Sequence, residues 1–302
     1  MAKDLRTQQP TISTAYDEEL LRKRRAIRVR QTQLADLQLH FRDENGKPCD
    51  LTDYDFVGSS NSSESLEGAE YRVEARFREA TERDPTTYKV NATMVDSETG
   101  LVRCRIPQTQ VSNVTGIWLA EFGILDEDSC LIATTDCYVY VEHSGWATTS
   151  LLGPPQVQTI RQSMADDDPI INELIDNYEF DLGDICYAVI RTVEDWNETP
   201  PPVRSATFTT KNFPFRNLWL LGAKVYLLKR AELHYRRNAY PYNAAGMTRD
   251  DKNKQQDYTE AWRLRHEEYK KTLIHKKVSI NAGRGFMSHR SGYAYTYNSA
   301  ID

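Results

Sequence analysis

The spacing of apolar residues changes once along this chain, and the change divides it. Between about residues 34 and 145 they recur at every second position; beyond about residue 160 they recur every third or fourth. A period of two puts side chains on alternate faces of a strand, and a period of 3.6 puts them on one face of a helix. A length of 302 residues also suits two domains. The expected fold is α+β and multidomain. An N-terminal antiparallel β-sandwich is followed by a mainly α-helical C-terminal domain, with extended arms at both ends.

The first region is a string of short alternations separated by turn clusters. Leu37, Leu39 and Phe41 alternate with polar residues, as do Tyr71, Val73, Ala75 and Phe77, then Tyr88, Val90, Ala92 and Met94. Val102, Cys104 and Ile106, then Trp118, Ala120, Phe122 and Ile124, and finally Cys137, Val139 and Val141 continue the pattern. Asp43 to Pro48, Ser97 to Gly100 and Asp126 to Ser129 separate them as turns. Residues 57–68 read as a polar surface loop, and 146–163, with Gly153-Pro154-Pro155, as a linker.

The second region carries helical signals. Asp166-Asp167-Asp168-Pro169 has an acidic cap before a proline, the order that opens a helix. Leu182, Ile185, Cys186, Val189, Ile190 and Val193 define one apolar face, ended by Pro200-Pro201-Pro202. Residues 214–237 predict the longest helix, where Gly222 and Ala223 permit close approach of a neighbour. Residues 250–277 predict a last helix with Tyr258, Trp262, Tyr269 and Leu273 on one side and an almost wholly charged outer face. The divisions are a basic arm (1–33), the sandwich (34–145), the linker (146–163), the helical domain (164–277) and a Gly/Tyr-rich tail (278–302). Within the arm, residues 17–31 suit either a short helix or a docking strand.

The formal net charge of −6 conceals a segregation: +4 over residues 1–33, −12 over 34–152, −9 over 153–203 and +11 over 204–302. Basic ends around an acidic middle suit pairing with copies or neighbours, since charge steers association and register. The cluster at Arg22, Arg24, Arg25 and Arg28 could bind phosphates, but no aromatic residues for base stacking are interleaved with it.

Signals for chemistry are scarce. Cys49, Cys104, Cys130, Cys137 and Cys186 are odd in number and never paired as C-x-x-C, so they read as reduced thiols of a protein assembled in a cytoplasm. The six histidines lack helical metal spacing, and no phosphate-binding or nucleophile-elbow motif occurs. Glu194, Asp195 and Glu198 near Trp196 suggest structural use at a helix end before they suggest an acid/base pair. No catalytic, cofactor or metal residue is expected, and no cofactor. No apolar run is long enough for a bilayer, and the first ten residues read as no secretory signal. Tyrosine, which occurs 17 times, and arginine are residues that anchor interfaces. The candidate interface residues are Arg22, Arg24, Arg25 and Arg28 in the arm; Tyr235, Arg236, Arg237, Tyr240 and Tyr242 after the long helix; and Phe286, Tyr293, Tyr295 and Tyr297 in the tail.

Several segments, in order, carry a resemblance. They are D-P-I-I-N-E-L-I-D-N-Y-E-F (168–180), I-x-x-V-E-D-W-N-E-T-P-P (190–201), F-T-T-K-N-F-P (208–214), L-L-G-A-K-V-Y-L-L-K-R-A-E (220–232), R-R-N-A-Y-P-Y-N-A-A-G-M (236–247) and K-K-V-S-I-N-A-G-R-G-F (276–286). This order resembles virion structural proteins of tailed bacteriophages. F-R-D-E-N-G-K-P-C-D-L-T (41–52) and G-I-W-L-A-E-F-G-I-L-D-E-D (116–128) make the first region similar to the immunoglobulin-like N-terminal domain of upper-baseplate proteins. The arm 1–33 lies outside the resemblance. The resemblance implies a non-enzymatic building block of the virion, in the tail or baseplate, joining or anchoring tail parts and fibres. Its implied partners are itself, as a ring or other multi-copy homo-oligomer, and other virion structural proteins of the tail, baseplate, neck or fibres; no membrane is implied. Two alternatives stay open: a head–tail connector or neck (collar) protein, and a nucleic-acid-binding accessory protein. A carbohydrate-active enzyme or adhesin would need an exposed Trp with paired acids, and only Trp146 offers itself.

Overall fold

The computed structural model describes residues 25–42, 47–54, 56, 71–143, 153–166, 168, 177–203, 207–237, 242–244, 247–249 and 252–288; within these, 242–249, 252–254 and 283–288 are described in backbone only. The fold is α+β: a mostly antiparallel seven-stranded sheet, curled into a near-barrel, followed by helices.

The strands are β1 (Arg25–Arg30), β2 (Asp36–His40), β3 (Arg72–Glu79), β4 (Tyr88–Asp96), β5 (Leu101–Arg105), β6 (Gly116–Leu125) and β7 (Leu131–Glu142). Their order across the sheet is β1-β7-β6-β3-β4-β5-β2. Strand β4 turns the corner: Tyr88 to Ala92 pair with β3, whereas Thr93 to Asp96 pair with β5, with a register shift between Met94 and Asp96. The two edge strands are consecutive in the chain. Residues 31–35 carry it from β1 to β2, held where Thr32 N–H donates to the Ser112 carbonyl and Ile106 N–H to that of Ala35. Gly100 closes the β4–β5 turn at φ +60°, where a Cβ would also meet the Cys49 carbonyl.

One face of every strand lines a common interior. Leu37, Leu39, Phe41, Val73, Ala75, Phe77, Met94, Val102, Cys104, Trp118, Phe122, Ile124, Val139 and Val141 pack there in one buried cluster. These are the residues whose alternation marks the strands in the sequence. β1 belongs to the same sheet: residues 25–30 of the basic arm form a docking strand parallel to β7, from Arg25 opposite Cys137 to Arg30 opposite Glu142. Val29 seals the interior there.

The helices are α1 (Val157–Met164), α2 (Leu182–Glu198), α3 (Arg216–Arg237) and α4 (Lys252–Ser288), with a short ladder β8 (Tyr242–Ala244) and β9 (Met247–Arg249) before the last. Asp181 caps α2 by accepting from Asp184 N–H at 2.8 Å. α1 falls in the stretch expected to be a linker. Its first N–H, on Val157, donates to the Glu142 carboxylate at 2.7 Å, and Tyr140 O–H donates to the Pro155 carbonyl at 2.6 Å. A sheet carboxylate thus supplies the cap that Gln156 does not. Asp166, the first acid of the run expected to open a helix at Pro169, pairs with Arg161 and accepts from Glu179 and Phe180 N–H. Pro169 lies outside the described residues.

α2, α3 and α4 meet at one close crossing. A Cβ on Gly222 of α3 would stand 2.9 Å from the Tyr269 ring of α4 and closer still to Thr192 of α2, so the sequence is small there because three helices converge. α4 runs to Ser288, into the expected tail, and is ~55 Å long at 1.5 Å per residue. Ile280 packs on the core and Asn281 donates to the Pro202 carbonyl at 3.1 Å, contacts that hold this extension.

The helical core is not separate from the sheet. Ile117, Leu119, Tyr138 and Tyr140 project from the outer faces of β6 and β7 into the same cluster as Ile185, Val189, Trp196, Leu218 and Trp219. Glu79, 2% exposed, accepts from Thr81 and from Thr210 N–H (3.0 Å). Thr210 Oγ1 also donates to Glu79, and Ile117 N–H donates to Thr210 Oγ1 at 2.9 Å.

Candidate interaction surface

A reactive group must be both activated and reachable. The thiols at Cys104, Cys137 and Cys186 are neither: all three are buried, burial pushes Cys104 up to about 12, and it raises the other two further. Among the described residues no group of three or more His, Cys, Asp or Glu could hold a metal ion. No helix of the structure is long and apolar enough to cross a membrane.

The acids that sequence places at the end of α2 are structural. Asp195 accepts from Tyr226 O–H at 2.5 Å and Tyr269 O–H at 3.4 Å, which ties α2 to α3 and α4. Burial raises its pKa, partly offset by those bonds. Burial also raises Glu194, which pairs with Arg191 at 2.6 Å. Lys277, 1% exposed, donates to the Thr199 carbonyl at the end of α2 and lies 5.2 Å from the Trp196 ring; burial lowers its pKa.

A cleft of about 360 Å³ opens between the sheet and α2, lined by Arg78, Glu121, Asp136, Arg191, Glu194 and Arg230 among others. Three of its four arginines are matched internally, Arg78 to Glu121 at 2.7 Å, Arg191 to Glu194, and Arg230 to Asp184, and Arg83 shares the lining with Glu79, Glu82 and Asp136. This leaves a neutralised polar seam rather than an anion site.

What stays open is surface, and it is polarised. The loop at 47–54, the β4–β5 turn at 96–100 and the β6–β7 turn at 126–130 all lie at one end of the near-barrel, because β2, β4 and β6 all end there. They carry Asp50, Asp53, Asp96, Glu98, Asp126, Glu127 and Asp128 against Lys47. Bonds from Thr52 hold Asp50 below the usual carboxylate range, and Thr99 does the same for Asp96. Leu131, beside the third turn, is 60% exposed. The helices cover the other end of the sheet, and α4 packs on α2 and α3 through Tyr258, Trp262, Tyr269 and Leu273. Its solvent side is of mixed charge: Arg263, Arg265, Lys270 and Lys271 beside Asp257, Glu260, Glu267 and Glu268, with Arg265 paired to Glu268 at 2.8 Å. That side is not wholly charged, as the sequence suggested: Leu264 is 59% exposed, Ile274 44% and Val278 50%. They lie opposite the packed face of α4.

The sequence-derived interface residues divide. Arg28 pairs with Glu142 at 2.7 Å and so serves the docking of β1, whereas Arg25, opposite Cys137, has its charged form disfavoured by burial and nearby Arg42. Tyr235 stacks on Tyr258 at 5.2 Å and donates to Glu179 at 3.2 Å, inside the molecule. Arg236 and Arg237 are exposed in the last turn of α3. Tyr242 lies in β8 and Phe286 in α4, both in backbone only; Arg22, Arg24, Tyr240, Tyr293, Tyr295 and Tyr297 lie outside the described residues. Leu131, Leu264, Lys270, Lys271, Ile274 and Val278 are exposed residues that the sequence did not single out.

No protein-family model matches the chain, and no curated protein matches it.

Proposed function

We propose that the chain is a structural subunit of a bacteriophage virion, a tail or baseplate component that joins or anchors tail parts and fibres through contacts between subunits. The observation that carries the reading is the surface: an acidic barrel end and a charged, partly apolar outer side of α4, joined through a packed helix–sheet junction. Such a body suits a part that transmits position from neighbour to neighbour.

The resemblance supports it in a specific way. I-x-x-V-E-D-W-N-E-T-P-P holds the Asp195 and Trp196 contacts, F-T-T-K-N-F-P holds the Thr210 clamp, and L-L-G-A-K-V-Y holds the Gly222 crossing. These three segments therefore build the interior. Strand order supports the immunoglobulin-like reading of the first region: β1 runs parallel to β7, and β4 is shared between a β1-β7-β6-β3-β4 layer and a β4-β5-β2 layer. Mass spectrometry of purified particles tests the role; a chain missing from virions would sink it.

The exposed Arg263, Arg265, Lys270 and Lys271 of α4 favour one competitor, a nucleic-acid-binding accessory protein. Filter binding across a salt titration separates the two. The accessory role requires retention of DNA that falls steeply with salt, and the structural role requires little retention at any salt.

A further inference from the structure

We infer that the first half of β7 is the docking edge for the basic arm of the same chain: residues 21–24 continue β1 as a strand parallel to Ala133–Asp136. The arginine cluster of the arm then serves the sheet rather than an outside partner.

On one side β7 pairs with β6 along nearly its whole length, through Leu131 and Ala133 to Val141. On the other, among the described residues, it pairs only over Cys137–Glu142, with β1. It is buried throughout that half, whereas Leu131 to Asp136 are half-buried or exposed. Alternate backbone N–H and C=O groups of the first half point away from β6, and such a row is a template for a further strand. The chain just before Arg25 is the nearest segment that can use it. Arg25 stands opposite Cys137, so straight continuation sets Arg24 opposite Asp136, Lys23 opposite Thr135, Arg22 opposite Thr134 and Leu21 opposite Ala133. β1 already fixes the register, so no loop has to close.

The side chains suit this register. Ile27 and Val29 of β1 face the interior, and a period of two puts Leu21 and Lys23 on that side and Arg22 and Arg24 on the outer one. Leu21 falls beside Ala133, which packs on the barrel core. Lys23 falls beside half-buried Thr135, where its stem lies along the rim with the ammonium in water. On the outer face Arg76 and Arg78 pair with Glu74 and Glu121, and Arg24 comes beside Asp136. Arg22 comes beside Thr134 and, one strand further, Gly123, which lines a groove of about 350 Å³. A residue without a side chain there leaves room for the arginine stem. Pairing ends at Leu21, because β7 bulges at Ile132 and because Asp17, Glu18 and Glu19 would next approach Glu127 and Asp128. A phosphate-binding arm would instead turn Arg22, Lys23 and Arg24 to one side together, and a strand divides them between two faces.

The test is hydrogen exchange of the full chain, read at the amides of Ala133–Asp136 that do not bond to β6. In the wild type they are protected equally at every protein concentration. K23P with R24P, which removes two backbone donors of the arm, quickens them by about tenfold or more and leaves the amides bonded to β6 unchanged. R24E and D136R each quicken them to a smaller degree, and the chain with both changes recovers protection. Recovery fixes the register and shows that both reversals fold.

Unprotected amides in the wild type overturn the strand. Protection untouched by the prolines overturns it in favour of another segment, and protection that rises with protein concentration in favour of the arm of a second copy. Steeply salt-dependent DNA retention that R22Q with K23Q and R24Q abolishes, while exchange stays unmoved, overturns it in favour of a nucleic-acid arm.

Discussion

The outer faces of β6 and β7 have two halves with opposite fates. Toward one end Ile117, Leu119, Tyr138 and Tyr140 enter the helical core. Toward the other, Glu121 and Asp136 line open clefts, and Thr134 is exposed. The strands, the sheet and the inner faces are the same in both halves, and only the covering helices differ. The sequence follows the cover: where both faces are buried the strand is apolar almost continuously, and where one is wet it alternates. The junction is therefore written into half a strand at a time, and the sheet serves as both a domain core and a platform.

The largest expected effect sets the two halves against each other. Ile117→Ala, at a fully buried site, should cost ~2–5 kcal/mol in denaturant unfolding. Thr134→Ala on the open half should stay within ~0.5 kcal/mol. Equal costs would mean that the helices do not stiffen the half they cover.

Glu142→Ala comes next. It removes the acceptor of both Val157 N–H and Arg28 at once, so the covered half should lose ~2–3 kcal/mol. Hydrogen exchange should quicken first in α1 and β1 and leave β4 and β5 unchanged. Uniform loss across the sheet would show that this carboxylate does not act locally.

A smaller effect is expected from Asp195, whose raised pKa means that the folded state holds its proton more tightly than the unfolded state does. The neutral carboxyl thus favours folding at low pH, and this contribution is lost as pH rises from the ordinary carboxylate range through the raised folded value. Asp195→Asn, which keeps an acceptor for Tyr226, should flatten that part of the stability–pH curve. An unchanged slope would assign it to other groups, Glu194 first.

The smallest perturbation is thiol labelling of the native protein. Exposed Cys130, on the open half, should react first and half-buried Cys49 more slowly. Cys104, Cys137 and Cys186 should react only on unfolding, and labelling Cys130 should leave the melting temperature unmoved. Early reaction of Cys186 would reveal opening of the helix–sheet junction.

Much of the sheet was legible in the sequence because a strand with one wet face must alternate, and the inner residues of β2 to β7 did. The apolar face of α2 and the small residue at Gly222 were legible for the same kind of reason. α1 was not: Gly-Pro-Pro and a polar composition look like a linker, and its N-terminal cap comes from Glu142, fifteen residues away on β7. The candidate interface was legible in charge but not in residues. Tyr235 has an interface residue's chemistry and an interior residue's contacts, since stacking on Tyr258 and bonding to Glu179 depend on how α3 and α4 cross.

By itself, then, the sequence determined strands β2 to β7 and helices α2, α3 and most of α4, and that acidic and basic residues lie in different stretches. Periodicity and net charge are local sums that survive without any tertiary contact. Only the tertiary structure decided that the basic arm contributes a strand to the sheet, that sheet and helices share a core, and that the acidic turns gather at one end of the near-barrel. Those facts depend on strand order and on which faces meet, and both are set by burial between residues far apart in the chain.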